Sequence, residues 1–188
     1  MICKVFDDLF DRLFIHELDH IISNKLKYEF NNVGNRTTWP YGYEGSYRLM
    51  GCTLFERENL NRITKLNKEA PIFFDIFERI ENNFLTSKYL LNAIQINIQH
   101  SGCNGDSHID SVENHLTIML MTNSKWDTKW GGQFQVLNND ESSVIEEHDY
   151  VPGRLIIFPS HVPHRGLGPS EKYPYIYRQT LVFRVQPF

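Results

Sequence analysis

Cysteine is scarce: three residues (Cys3, Cys52, Cys103) in a chain of 188, an odd number with no CxxC spacing. That argues against a disulfide framework or a zinc ribbon built on paired cysteines and leaves free thiols as the simplest state. Long apolar runs are missing too. The longest, 116–121 (broken by Thr117) and 155–158, fall far short of the ~20 residues a membrane helix needs, so no membrane partner is expected. There is no basic excess: 19 Lys and Arg against 23 Asp and Glu give a net charge of −4, which does not point to nucleic acid or an anionic membrane surface. The N-terminus carries Asp7 and Asp8 where a signal peptide would be apolar, and a cytoplasmic location is expected. No internal repeat, low-complexity tract or linker is visible.

What the chain has is core-forming material. Its hydrophobic fraction of 41%, with 13 Phe, 9 Tyr and 3 Trp, suffices for one domain spanning residues 1–188. A short apolar entry strand is expected over about 4–10. Leu13, Phe14, Leu18, Ile21 and Ile22 then recur at helical spacing and predict a helix over 11–26. Residues 34–48, rich in glycine, threonine and aromatics, read as a turn-rich loop. Helices are expected again over 58–66 and from Pro71 to Phe84, so residues 1–89 read as mainly helical support with a substrate-entrance loop.

From residue 90 the period changes. Ile94, Ile96 and Ile98 alternate with Gln95, Asn97 and Gln99, the signature of a strand with one polar face. Further strands are expected at 115–122, 132–138, 143–147, 154–158, 163–167 and 177–185, so the whole reads as α+β with a β-sandwich or barrel over 90–188.

The chemistry concentrates in a loop leaving the polar-faced strand. His108 and Asp110 are two residues apart, so in extended backbone both point to one face and can grip one ion. His164 follows an apolar strand further on, with His161 as the competing third ligand. Two imidazoles and a carboxylate occupy one face of a cation and leave the other open, as in non-haem Fe(II) oxygenases. A zinc site from His100, Cys103 and His108 is the alternative, but it leaves Asp110 and His164 idle. His16, His20, His115 and His148 read as ordinary helix, strand-edge and loop residues. Beyond His164, Arg178 and Thr180 share one strand face, where a guanidinium and a hydroxyl can fix a carboxylate.

The series His108-x-Asp110, Leu116-Thr117, Asn123-x-x-Trp126-Asp127, Gly131-Gly132-Gln133-Phe134, Pro152-Gly153-Arg154-Leu155, Phe158, Pro163-His164 and Arg178-x-Thr180 resembles the Fe(II)- and 2-oxoglutarate-dependent oxygenases, most closely the prolyl 4-hydroxylase-like branch. The resemblance covers roughly residues 90–185. It implies a double-stranded β-helix (a jelly-roll, cupin-like core) with N-terminal supporting helices. It also implies Fe(II) on the catalytic residues His108, Asp110 and His164, and 2-oxoglutarate and O2 as co-substrates, with ascorbate as an accessory reductant. The implied reaction hydroxylates a C–H bond of a peptidyl prolyl or other protein residue, or of a free amino acid or other small molecule, giving succinate and CO2. A catalytically inert metal-binding jelly-roll module is the reading from a different class.

The family's basic residue for the far carboxylate of 2-oxoglutarate falls on Arg178, helped by Thr180, rather than on Arg165 or Arg184. Asp110 stands where related halogenases lack a carboxylate, so hydroxylation is implied. Where relatives place tyrosines against 2-oxoglutarate, this chain has Gln99 and Met121, with Thr117 or Asn97 available to compensate. Trp39, Tyr41 and Tyr43 are expected either to line the substrate entrance or simply to pack their loop onto the core. Trp126 and Trp130 read as structural, and the acids at 140–141 and 146–147 as a solvated face.

Overall fold

The computed structural model describes residues 1–32 and 49–188. Eleven strands and two α-helices follow one another in these segments as β1 (Lys4–Phe6), α1 (Arg12–Lys25), β2 (Glu29–Asn32), β3 (Leu49–Asn59), β4 (Arg62–Leu66), α2 (Ala70–Phe84), β5 (Tyr89–His100), β6 (Leu116–Met121), β7 (Phe134–Leu137), β8 (Val144–His148), β9 (Leu155–Pro159), β10 (His164–Gly166) and β11 (Tyr177–Pro187). The major sheet has the order β1-β9-β6-β11-β5-β3-β2, with β4 paired to β3, and a minor sheet has the order β10-β7-β8. The architecture is the jelly-roll sandwich of a double-stranded β-helix, with helices on one side. No helix among the described residues is long and apolar enough to cross a membrane.

Side-chain alternation sorts the major sheet into two faces. Ile94 and Ile96 of β5, Ile118 and Leu120 of β6, Leu155 and Ile157 of β9, and Leu181, Phe183 and Val185 of β11 are buried in one cluster with Ile15, Leu18 and Ile22 of α1 and Phe73, Ile76, Phe77 and Ile80 of α2. Asp11 caps α1 by accepting a 2.8 Å hydrogen bond from the Phe14 N–H, and Pro71 sits in the first turn of α2, as the sequence pattern predicts. The opposite face meets the minor sheet. A smaller cluster there joins Met119, Met121, Ile156 and Phe158 to Phe134, Val136 and Tyr150.

The first half is not mainly helical. The helix expected over 58–66 is instead the turn and second strand of a hairpin, in which Arg57 pairs with Ile63 and Asn59 with Arg62. Leu60, Ile63 and Leu66 have helical spacing, but all three are more than half exposed, so that pattern marks no buried stripe. The Asn59 side chain accepts from the Asn61 N–H at 3.0 Å, the local turn chemistry that competes with a helix. The entry strand is also shorter than expected: β1 ends at Phe6, and Asp8 has a φ of +64°. The acids at 146–147 are not simply solvated, because the Glu146 carboxylate accepts from the backbone N–H groups of Ile2 and Cys3 and ties the N-terminal segment to β8. Cys3, Cys52 and Cys103 are all buried, and none of them forms a disulfide.

The end of β1 is held to β9 by a charged fork. Arg154 Nε and Nη2 donate to the two oxygens of Asp7, each at 2.9 Å, and Nη1 donates to the Asp149 carbonyl at 3.0 Å. The hydrogen bonds from Arg154 hold the Asp7 carboxyl below its ordinary value. A depressed carboxyl contributes stability above its unfolded pKa and loses it as pH falls through the folded one. Asp7 is half-exposed, so Asp7→Asn is expected to cost only about 0.2–1 kcal/mol at pH 6. In urea titrations of both proteins, that difference should close as pH falls below the carboxylate range.

Candidate metal and anion site

Backbone pairing brings the three expected ligands together. The His108 N–H donates to the His164 carbonyl at 3.1 Å and the His164 N–H returns the bond at 2.9 Å, so the loop after β5 is zipped onto β10. The Asp110 N–H donates to the Ser160 carbonyl at 2.8 Å and fixes the third residue. As a result His108 Nε2 lies 3.9 Å from Asp110 Oδ1, and His164 Nε2 lies 3.5 Å from Asp110 Oδ2. The potential ligand atoms of all three lie within 4.8 Å of one another.

Each neighbour of the triad favours metal binding. His108 Nδ1 lies 2.9 Å from the Asp106 carbonyl and His164 Nδ1 lies 2.8 Å from that of Val162. A carbonyl only accepts, so both Nδ1 atoms carry the hydrogen and both Nε2 lone pairs face inward. Burial pushes the His164 pKa down to about 4, which keeps that ring neutral. Burial alone would raise Asp110, while the hydrogen bond donated by the Thr117 hydroxyl and the charge of Arg184 pull it down. Thr117 Oγ1 donates to Asp110 Oδ2 at 2.6 Å, and since its hydrogen is spent there, the 2.9 Å contact with Ser160 is a bond donated by Ser160. Phe134 and Phe158 pack against the His164 ring. A divalent cation fits this donor set.

Behind the triad a narrow cavity of about 80 Å³ runs between the sheets to Arg178. Its walls include Asn97, Gln99, Thr117, Met119 and Thr180. Arg178 is 2% exposed, and among the described residues no carboxylate pairs with it. Its partners are neutral: Nε donates to the Gly132 carbonyl at 2.9 Å, Nη1 donates to Gln99 Oε1 at 2.7 Å, and Nη2 faces the Met119 sulfur at 3.8 Å. Desolvation pulls its pKa down to about 10, still charged at neutral pH. A buried cation held only by dipoles suits an anionic partner, and the carboxylate of a dicarboxylate is of the right chemistry for it.

Several motif residues serve this guanidinium. Asn123 Oδ1 accepts from the Gln179 N–H at 2.8 Å, and its amide donates to the Tyr177 carbonyl at 3.0 Å, clamping β11 on both sides of Arg178. Asp127 caps a 3-10 turn at Thr128–Trp130, and Trp126 Nε1 donates to the Gly131 carbonyl at 3.0 Å. Gly132, at φ +82°, turns its own carbonyl toward Arg178; a Cβ there would lie 2.6 Å from the Trp126 ring. Gly166 is tightly packed too, because a Cβ would approach Arg178 Nη1 and Gln99 Oε1 to 3.0 Å.

Some expectations need correction. Gln99 lines the cavity with its oxygen accepting from Arg178, while its amide donates to the Cys103 and Gly166 carbonyls at 3.0 and 2.8 Å. Thr117 lines the cavity but spends its hydrogen on Asp110. Met121 does not line it; its sulfur accepts from the Val151 N–H at 3.2 Å, and Met119 takes the wall position two residues earlier. The zinc alternative is not assembled among the described residues, where the only other group of this kind is Cys3, Glu146 and His148. His161 lies on the outer groove rather than in the triad, and Arg165 donates to Gln135 instead. Trp39, Tyr41 and Tyr43 lie outside the described residues.

Sequence reading missed Ser160 and Tyr150. Ser160 has a faint signal, following the strand that leads to His164. Tyr150 has none, yet its ring centroid lies 5.4 Å from Arg178 Cζ, and its buried hydroxyl lies 2.7 Å from Asn123 Oδ1 and 2.5 Å from the Gln179 carbonyl.

Residues 94–182 match the profile of the 2OG-Fe(II) oxygenase superfamily. No curated protein matches the chain. Among solved structures, an oxidoreductase of the 2OG-Fe(II) oxygenase family from Burkholderia pseudomallei is similar with a TM-score of 0.71 at 15% identity, over 98% of this chain and 85% of that one. A prolyl-4-hydroxylase from Pseudomonas putida gives 0.60 at 14% identity, over 99% and 93%. A prolyl hydroxylase from Trichoplax adhaerens, in complex with a hypoxia inducible factor oxygen degradation domain peptide fragment, gives 0.63 at 13%, over 98% and 83%. At these identities the likeness establishes a shared fold.

The Thr117 hydrogen bond orients a potential metal ligand, so Thr117→Val is expected to weaken Fe(II) binding by about 10–100-fold. Anaerobic titration with Fe(II) measures this, and thermal unfolding run alongside should show the fold retained.

Proposed function

We propose that the chain, whose residues 94–182 match the 2OG-Fe(II) oxygenase profile, is a 2-oxoglutarate-dependent oxygenase that hydroxylates a C–H bond of a peptidyl prolyl or other protein residue. As a 2-oxoglutarate-dependent oxygenase it uses Fe(II), 2-oxoglutarate and O2. In the proposed reaction one oxygen atom enters the substrate as hydroxyl, and the other enters succinate as 2-oxoglutarate loses CO2.

In this reading His108, Asp110 and His164 hold Fe(II). Bound there, the metal supplies O2 activation coupled to oxidation of 2-oxoglutarate, chemistry that no side chain of the site provides. The protein's part is positioning. Ser160 and Thr117 fix the Asp110 carboxylate, and the two backbone carbonyls fix the imidazole tautomers. Arg178, with Thr180 on the same strand face, holds the far carboxylate of 2-oxoglutarate. The observation that carries the reading is this buried guanidinium without an acid partner, at the end of a cavity whose other end is the triad.

The protein-residue substrate is supported by the shape of the entrance. A groove of about 950 Å³ fronts the triad and includes His108, Asp110 and Ser160 in its lining, a wide entrance of the kind an extended peptide would need. Two of the structurally similar proteins are prolyl hydroxylases, one of them with a peptide bound.

His108→Ala and Asp110→Ala are each expected to reduce succinate formation to background while circular dichroism remains unchanged. Undiminished turnover in both would refute the ligand assignment. Mass spectrometry of proline-containing peptides should show the gain of one oxygen at proline. A broad panel without that product would move the substrate to the small-molecule class.

A further inference from the structure

Strand β11 continues past the cavity. Arg178, Thr180 and Val182 line the cavity, and two further steps along the same face place Arg184 and Gln186 in the wall of the groove in front of the triad. Arg57 of β3 lines the same groove. Both side chains are half-buried, and the Nε–H of each is sealed from solvent with no hydrogen-bond partner. Among the described residues neither guanidinium makes an ion pair; Arg57 only stands over the Phe55 ring, 5.5 Å from its centroid.

Acids also border the groove: Asp110 feels the charge of Arg184 without forming an ion pair with it, and the glutamates are no better placed. Glu56, Glu58, Glu113 and Glu141 are exposed, where water and salt screen them. Glu58 pairs with Arg62 at 2.8 Å and Glu113 with His115 at 2.9 Å. The nearby amides Asn92 and Gln186 bond to each other at 3.0 Å. Two half-buried guanidiniums without an ion pair among the described residues thus line a groove that opens on the reaction centre. A carboxylate lying in the groove meets such cations with charge-assisted bonds.

We propose that Arg57 and Arg184 form a carboxylate subsite of the substrate groove, so that the substrate presents a carboxylate beside the C–H bond that is oxidised. This deepens the function proposed above and rests on it. The carboxylate belongs either to an acidic side chain near the target residue of a peptide or to the α-carboxylate of a free amino acid. The recognition chemistry is the same for both.

The test is binding under anaerobic conditions to the protein loaded with Fe(II) and 2-oxoglutarate. The probes are fluorescent peptides with a central proline and Asp or Asn at each flanking position, and free L-proline against L-prolinamide. Tighter binding of the Asp peptides by about tenfold or more identifies the side-chain source; the same preference for L-proline over L-prolinamide identifies the free amino acid. In Arg57→Gln and Arg184→Gln, checked for folding by circular dichroism, the preference should shrink to less than about threefold, and Arg184→Lys should restore part of it. Equal binding within both matched sets, binding of no probe, or a preference that survives in both glutamine variants overturns the subsite. Oxygen incorporation in air is scored separately. A charge preference without oxidised proline upholds the subsite and refutes the prolyl reading, whereas oxidised proline without a preference does the reverse.

Discussion

Everything between the two sheets is arranged around one uncompensated charge, the guanidinium of Arg178. A buried cation is expensive unless it is paired, and this one has only dipoles, a sulfur and an aromatic face for company. Those neutral partners can orient the fork, but they leave its charge unmet. An acid at Gln99 would have satisfied it from within; the amide leaves the charge for a ligand. The same constraint explains the glycines. Gly132 and Gly166 stand where any Cβ would press on Arg178 or on the Trp126 ring that shapes the turn.

The second constraint is the register of the major sheet. Because β5, β6, β9 and β11 are antiparallel neighbours, their inward residues stack into one surface and their outward residues into another. The outward set is apolar and buries the helices. The inward set changes along the strands, from Arg178 and Thr180 through Thr117 to Arg184. One face therefore serves the anion cavity, the metal ligands and the groove in turn.

Much of this was legible before the structure. The alternation of Ile94, Ile96 and Ile98 with Gln95, Asn97 and Gln99 is a local, period-two signal, and it located both the core face and the cavity face of β5. The His108, Asp110 and His164 series was legible from order and residue chemistry, and α1 and α2 from helical spacing and caps. The failures have physical causes. Over 58–66, apolar spacing mimicked a helix because the pattern does not reveal that Leu60, Ile63 and Leu66 face solvent. Choosing between Met119 and Met121 required the depth of the cavity along β6, and the share of Tyr150 in holding Arg178 depends on contacts between distant strands. Gln99 was correctly placed at the cavity, but its partner is Arg178, a pairing set by the β5–β11 register.

The central claim is that one 2-oxoglutarate spans from Arg178 to a metal held by His108, Asp110 and His164. The direct measurement is anaerobic addition of Fe(II) and then 2-oxoglutarate, following the weak visible metal-to-ligand charge-transfer band in the parent protein and in Arg178→Ala. The account predicts a saturable band in the parent and, in the variant, bound Fe(II) with no band at the same 2-oxoglutarate concentration. A band of equal strength and affinity in Arg178→Ala, or none in the parent with metal bound, would contradict it.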